Sequence, residues 1–120
     1  MRIVALRRNP ELAQEDPLCD VVYGSDTESL NKLFAESDYV LCSAPLTPET
    51  KGLITQEQFD NAKKDCVFIN VGRGPIVDEE AMIRSLQSGA LKGAGLDVFA
   101  TEPLPVDSEL WNLDNVLISP

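Results

Sequence analysis

The 120-residue sequence contains no histidine, and this absence excludes a wide range of chemistry. Histidine is the commonest metal ligand in proteins and the usual acid or base near neutral pH. A metal site built on histidine, or a complete catalytic group that depends on it, therefore cannot be formed from these residues alone.

Cysteine is scarce, and its three copies, Cys19, Cys42 and Cys66, are an odd number with no close pair in the sequence. Cys42 and Cys66 lie inside apolar runs, where a free thiol behaves as a small hydrophobic group. Because disulfides are typical of oxidising compartments, the sequence predicts free thiols in a reducing, cytoplasmic setting.

Long apolar runs and an excess of basic residues are also lacking. No run approaches the roughly 20 apolar residues that cross a bilayer, and the amino terminus lacks the apolar segment of a signal peptide. Twenty acidic against ten basic residues give a net charge of −10, which repels phosphate backbones and anionic membranes. We therefore expect neither nucleic acid nor a membrane as a partner.

Short apolar runs alternate with helical patterns along the chain. Such alternation is typical of βαβ units, and it predicts an α/β domain with a parallel sheet. The predicted helices follow the capping residues Asp26, Thr55 and Asp78 and end near Glu36, Ala62 and Gly89. Residues 11–19 are predicted to be a loop or a weak turn. The predicted strands are residues 2–6, 20–23, 38–43, 66–71, 93–98 and 115–119.

The stretch from Cys66 to Asp78 places an arginine between two glycines directly after a buried strand. In an open α/β sheet, ligands bind in the crevice outside the carboxyl ends of the strands. Gly72 and Gly74 remove the side chains on either side of Arg73, so the backbone can turn sharply and a ligand can come close. An arginine between glycines is by itself also typical of a surface turn.

Four segments of the chain help to decide whether Arg73 binds a ligand or lies in a surface turn. In chain order they are SDYVLCSAPLTPETKGLI, FINVGRGPIVDEEAM, GALKGAGLDVFATEPLP and NVLISP. Together they resemble the nucleotide-binding domain of the D-isomer-specific 2-hydroxyacid dehydrogenases, the group containing glyoxylate/hydroxypyruvate reductases and phosphoglycerate dehydrogenases. The resemblance covers nearly the whole chain. It implies that residues 1–120 form a partial doubly wound, Rossmann-type parallel sheet that binds NAD(P), without the substrate domain.

The resemblance also implies an activity and the residues that serve it. The family transfers a hydride between NAD(P)H and a small 2-oxo or 2-hydroxy acid, and its members are usually homodimers. Arg73 matches the arginine that binds the substrate carboxylate, and Glu102 matches the glutamate that pairs with a catalytic histidine. Asp97 matches the aspartate that accepts a hydrogen bond from the nicotinamide carboxamide. The other matched cofactor-binding positions are Pro45, Leu46, Thr50, Val71 and Gly72, with the backbone of Arg73.

Arg7 and Arg8 directly follow the first predicted strand. In dinucleotide-binding folds, the end of the second strand meets the adenosine ribose, where an acidic residue suits NAD and arginine suits the 2′-phosphate of NADP. Two arginines without an acid favour NADP over NAD. An exposed pair of arginines without a ligand is the alternative.

The Gly-rich turn and first strand of this fold are not found before residue 2, and no histidine follows the last strand. We therefore expect a gap, or a rearranged pairing, between the strands at 2–6 and 38–43, with two open edges. The sequence accordingly predicts a fragment of an oxidoreductase that does not turn over substrate alone. Two alternatives stay open: a non-catalytic dinucleotide-sensing module like the transcriptional corepressors that share this fold, and a vestigial remnant.

Overall fold

The computed structural model describes residues 1–13 and 16–119, which form two parallel sheets and three α-helices. The strands are β1 (Val4–Leu6), β2 (Val21–Tyr23), β3 (Tyr39–Cys42), β4 (Val67–Asn70), β5 (Gly93–Leu96) and β6 (Val116–Ile118). The helices are α1 (Thr27–Glu36), α2 (Gln56–Asn61) and α3 (Glu79–Ser88), with 3-10 turns at Pro10–Ala13, Gly74–Ile76 and Glu109–Asn112. The predicted order of elements is confirmed, and each strand is shorter than its predicted run. The predicted loop at 11–19 falls partly on residues 14 and 15, outside the described residues.

The helix ends lie where the capping residues predict them. Asp26 accepts a hydrogen bond from the Ser29 N–H at 2.8 Å, and Asp78 accepts one from the Ala81 N–H at 3.1 Å. Each carboxylate satisfies a backbone donor that has no partner inside the helix. Gly89 ends α3 with a φ of 81°, a left-handed conformation that glycine adopts without steric cost.

The strands fall into two separate sheets. β1 pairs with β2, and the other four strands pair in the order β3-β4-β5-β6, all in parallel. β1 and β3 do not pair with each other, and among residues 1–13 and 16–119 no strand joins them. The gap expected between them is therefore present. Among the described residues, β1 and β3 each have one edge without a partner strand, as the sequence predicted.

The helices pack on one face of the four-stranded sheet and leave the other face open. Three phenylalanine rings, Phe34, Phe59 and Phe68, lie in the core with centroids 5.6 to 6.2 Å apart. The parallel crossovers from β3 to β4 and from β4 to β5 run the same way along the sheet, so right-handed connections place α2 and α3 on the same side. On the opposite face Tyr39 is 71% exposed and Leu117 is 76% exposed.

Cys42 and Cys66 are free and buried, which confirms their predicted role as small hydrophobic residues. Burial raises the pKa of the Cys66 thiol to about 11, because the thiolate would lose its hydration. Burial also raises the pKa of Cys42. Both thiols are therefore protonated at neutral pH. Among the described residues, no helix has the length and apolar character to span a membrane.

Candidate functional site

The predicted site residues lie in loops that follow the carboxyl ends of the strands. Because β3 to β6 are parallel, these loops share one edge of the sheet, called here the rim. Three of them are named by what they contain: the proline loop (44–52) follows β3, the arginine loop (71–75) follows β4, and the glutamate loop (97–103) follows β5.

The arginine loop is held by the buried side chain of Asn70, the last residue of β4. Its Oδ1 accepts a hydrogen bond from the Gly72 N–H at 3.0 Å, and its Nδ2 donates to the Arg73 carbonyl at 3.3 Å. The Arg73 side chain is exposed, and its Nη1 donates to the Gly72 carbonyl at 2.8 Å. The guanidinium therefore stands at the rim while its backbone is fixed from below.

The two glycines of the arginine loop allow it to pack between the neighbouring loops. A Cβ on Gly72 would lie 2.7 Å from the Ala44 oxygen of the proline loop. A Cβ on Gly74 would lie only 1.8 Å from the Phe99 oxygen of the glutamate loop. Neither glycine has a positive φ, so the need for glycine here comes from close backbone contact rather than from a left-handed turn.

The glutamate loop is held by two carboxylates that bind adjacent backbone amides. Glu102 Oε1 accepts from the Phe99 N–H at 3.0 Å, and Glu79 Oε2 accepts from the Ala100 N–H at 2.8 Å. The first contact fixes one oxygen of Glu102, whose side chain is otherwise exposed at the rim. Since Phe99 also touches the arginine loop at Gly74, the loops of Arg73 and Glu102 are in direct contact. Sequence reasoning missed Glu79, because its partner is 21 residues away.

A cavity of about 250 Å³ lies at the rim beside these loops. Val71 and Asp97, two of the predicted cofactor residues, both line it, together with Ser119, which was not predicted. The Asp97 N–H donates to the Asn70 carbonyl at 3.0 Å, which ties the start of the glutamate loop to the end of β4. The other lining residues are Ile69, Gly95, Leu96 and Leu117, so the cavity is a shallow depression that extends from the rim onto the open face of the sheet, with an apolar floor and one carboxylate at its edge.

The proline loop is stiffened by Thr50. Its hydroxyl donates to the Pro45 carbonyl at 2.7 Å and accepts from the Thr47 N–H at 2.8 Å. Leu46 remains 44% exposed, and Pro45 is also exposed. The predicted groove residues of this loop therefore form a rigid, partly apolar surface beside the arginine loop.

Arg7 and Arg8 lie apart from the cavity, after β1. Arg7 Nη2 lies 2.6 Å from Asp16 Oδ2. Arg8 Nη2 lies 4.0 Å from Glu49 Oε2, and the side chains of Arg8 and Glu49 are each 71% exposed. Exposed pairs of this kind contribute little binding energy, so Arg8 is available to an anionic ligand. The contact with Glu49 places the end of β1 beside the proline loop. Among the described residues, no cluster of acidic and cysteine side chains forms a metal site.

The whole chain, residues 1–120, matches the family model described as D-isomer specific 2-hydroxyacid dehydrogenase, NAD binding domain. A glyoxylate/hydroxypyruvate reductase B from Enterobacter sp. is 53% identical over 91 residues, which are 76% of this chain and 28% of the relative. The protein of the same name from Yersinia pestis is 42% identical over 120 residues, which are 100% of this chain and 35% of the relative.

Solved structures of similar proteins agree with this match. A D-isomer specific 2-hydroxyacid dehydrogenase from Xanthobacter autotrophicus, determined with NADPH and MES, is 38% identical, with a TM-score of 0.81 over 100% of this chain and 57% of the other. A family member from Aeromonas salmonicida is 37% identical, with a TM-score of 0.88 over 100% of this chain and 37% of the other. The Rossmann-type fold predicted from the sequence is therefore confirmed. The chain spans about a third of the length of these curated relatives.

Proposed function

Because this chain belongs to the D-isomer-specific 2-hydroxyacid dehydrogenases through their NAD-binding domain, we propose that it binds NAD(P)H and presents Arg73 and Glu102 to a small 2-oxo acid. The observation that carries the proposal is the direct contact between the loops of these two residues, at Gly74 and Phe99. The cavity lined by Val71 and Asp97 lies at the same rim. The reaction is hydride transfer between the nicotinamide and the 2-carbon of the acid.

The cavity suits a nicotinamide ring. Its apolar floor at Val71, Ile69 and Leu117 offers a surface against which a flat ring can lie, and the Asp97 carboxylate can accept a hydrogen bond from a carboxamide. The dinucleotide supplies the hydride when it is bound, and the protein supplies position and charge. Val71 and Asp97 thus orient the ring relative to Arg73.

Arg73 is proposed to anchor the substrate carboxylate. A planar guanidinium can donate two parallel hydrogen bonds to one carboxylate, which sets both the position and the direction of the acid. The same positive charge favours negative charge developing on the neighbouring 2-oxygen during reduction. The hydrogen bond from Nη1 to the Gly72 carbonyl restricts the guanidinium before the acid arrives.

Glu102 is proposed to position a proton donor. With Oε1 held by the Phe99 N–H, its carboxylate has a set direction, and a neighbouring imidazole would be oriented and favoured in its protonated form. The chain contains no histidine, so that imidazole must come from outside these 120 residues. We therefore expect the isolated chain to bind ligands without reducing them.

The proposal is tested by ligand binding to the isolated chain. We expect NADPH to bind, and oxamate, a non-reducible analogue of a small 2-oxo acid, to bind the NADPH complex and shift the NMR signals of Arg73 and its neighbours. Steady-state assay with hydroxypyruvate or glyoxylate should show no turnover above buffer. An absence of dinucleotide binding, or oxamate signals that map away from the rim, would contradict the proposed function.

We further propose that NADP is preferred over NAD, with Arg8 as the main contact for the 2′-phosphate. A charge-assisted hydrogen bond contributes about 1.5–3 kcal/mol, so Arg8→Ala should reduce the preference for NADPH by about tenfold or more. Calorimetric titration with NADPH and NADH measures the ratio. Arg84→Ala is the matched control. Arg84 is an exposed arginine on α3, and its Nε donates a hydrogen bond to Gln56 rather than facing the end of β1. The proposed preference would be refuted if the chain bound NADPH and NADH with equal affinity and if neither Arg7→Asp nor Arg8→Ala changed that ratio.

A further inference from the structure

Three polar side chains are buried among the described residues: Gln58, Asn70 and Ser85. Gln58 belongs to the capping box of α2, and Ser85 Oγ donates to the Ala81 carbonyl within α3. Gln58 also donates to Asn31 of α1, and Ser85 also accepts from Gln56 of α2, so both side chains join neighbouring helices. Asn70 is 2% exposed and lies directly beneath the rim, where burial of an amide is costly unless its groups are bonded.

We propose that Asn70 is the positioning residue for Arg73, an inference that rests on the proposed function of Arg73 as the carboxylate anchor. Asn70 acts on the Arg73 side chain through the backbone of Gly72. Asn70 Oδ1 binds the Gly72 N–H, and the carbonyl of the same glycine accepts the hydrogen bond from Arg73 Nη1. Fixing the Gly72 backbone therefore fixes the oxygen that holds the guanidinium.

The amide of asparagine suits this place because it carries an acceptor oxygen and a donor nitrogen on the same carbon. Nδ2 donates to the Arg73 carbonyl while Oδ1 accepts from Gly72. An aspartate would keep the acceptor and lose the donor, whereas an alanine would lose both. The side chain thus holds the loop at two points, one on either side of the peptide that joins Gly72 to Arg73.

Asn70 also connects the anchor to the cofactor cavity. Its main-chain carbonyl accepts the Asp97 N–H, so the residue that holds the arginine loop through its side chain holds the start of the glutamate loop through its backbone. The backbone contact would survive substitution, since any residue has a carbonyl. Removal of the side chain should therefore disturb Arg73 while leaving the bond to Asp97 in place.

The test compares Asn70→Ala, Asn70→Asp and the control Ser85→Ala in the 120-residue chain. Hydrogen exchange of the Gly72 amide reports the bond to Oδ1, and titration of the NADPH complex with oxamate reports the anchor. Because small displacements at a site can cost large factors in activity, we expect Asn70→Ala to weaken oxamate binding about tenfold or more and to speed Gly72 exchange. Ser85→Ala should lower the melting temperature without changing either readout. Asn70→Asp should retain slow exchange at Gly72.

The outcomes separate the two proposals. If Arg73→Ala does not weaken oxamate binding, the proposed function of Arg73 fails, whatever Asn70 does. If Arg73→Ala abolishes binding but Asn70→Ala behaves like Ser85→Ala, the positioning role is refuted. Should Asn70→Ala fail to fold, Asn70→Asp decides: slow Gly72 exchange supports the proposed bond, and exchange at the rate of an unstructured amide overturns it.

Discussion

Replacing Gly74 with alanine is expected to destabilise the domain by about 3 kcal/mol or more, at the upper end of the usual effects of overpacking. The added Cβ would lie 1.8 Å from the Phe99 oxygen, 2.0 Å from the Phe99 carbonyl carbon and 2.6 Å from the Ala100 nitrogen. These are backbone atoms, so the clash cannot be relieved by a change of rotamer. The arginine loop and the glutamate loop must then move apart, which would also separate Arg73 from Glu102.

Urea denaturation of Gly74→Ala and Gly95→Ala measures this effect against a matched control. Gly95 lies in β5, and a Cβ there would have its nearest contact at 3.8 Å, from the Ile69 side chain. Since glycine inside a strand costs about 0.5–1 kcal/mol relative to alanine, Gly95→Ala should be neutral or slightly stabilising. Similar denaturation midpoints for the two variants would show that the loops do not make the close contact described here.

Replacing Arg73 with alanine is expected to lower the affinity of the NADPH complex for oxamate by about a hundredfold or more, since two charge-assisted hydrogen bonds contribute about 1.5–3 kcal/mol each. The melting temperature should hardly change, because the side chain is exposed. Arg73→Lys should recover only part of the affinity, since an ammonium group cannot donate two parallel bonds to a carboxylate. The affinity for NADPH itself should be close to that of the unmodified chain.

Arg84→Ala serves as the control for a lost surface arginine. It removes the same charge from a chain of net charge −10, at a position on α3 rather than at the rim. If Arg84→Ala weakens oxamate binding as much as Arg73→Ala does, the loss of affinity comes from the change in overall charge. Arg73 would then not be a specific anchor for the carboxylate. Calorimetry at two ionic strengths strengthens the comparison, because a general charge effect is screened by salt.

Local patterns in the sequence predicted the helices and strands well, because each of those features depends on neighbours within a few residues. The bonds at Asp26 and Asp78 are formed within one helical turn, and the left-handed Gly89 directly follows α3. The alternation of short apolar runs with amphipathic helices is sufficient to predict parallel βαβ units. The family motifs then identified Arg73, Asp97 and Glu102 as residues of the rim, although their roles remain predictions.

The one-sided layering of the helices was decided by the tertiary structure. The sequence predicted a partial doubly wound, Rossmann-type sheet, and that fold is confirmed. Among the described residues, the fully buried side chains of the four-stranded sheet lie on one of its faces. Tyr39 and Leu117 on the other face belong to strands whose apolar character was predicted, but a strand's sequence does not say which of its faces a helix will cover. That depends on the direction in which successive crossovers run.

What the sequence by itself determined is the set of elements and their order along the chain. Only the tertiary structure decided how the rim is held together: Asn70 beneath Gly72 and Arg73, Glu79 on the Ala100 amide, and Gly74 against Phe99. The physical reason is the register of the parallel strands, which places Asn70 opposite Leu96 and so brings two distant loops side by side. Register depends on which face of each strand is buried against its neighbours, and those neighbours are distant in the sequence.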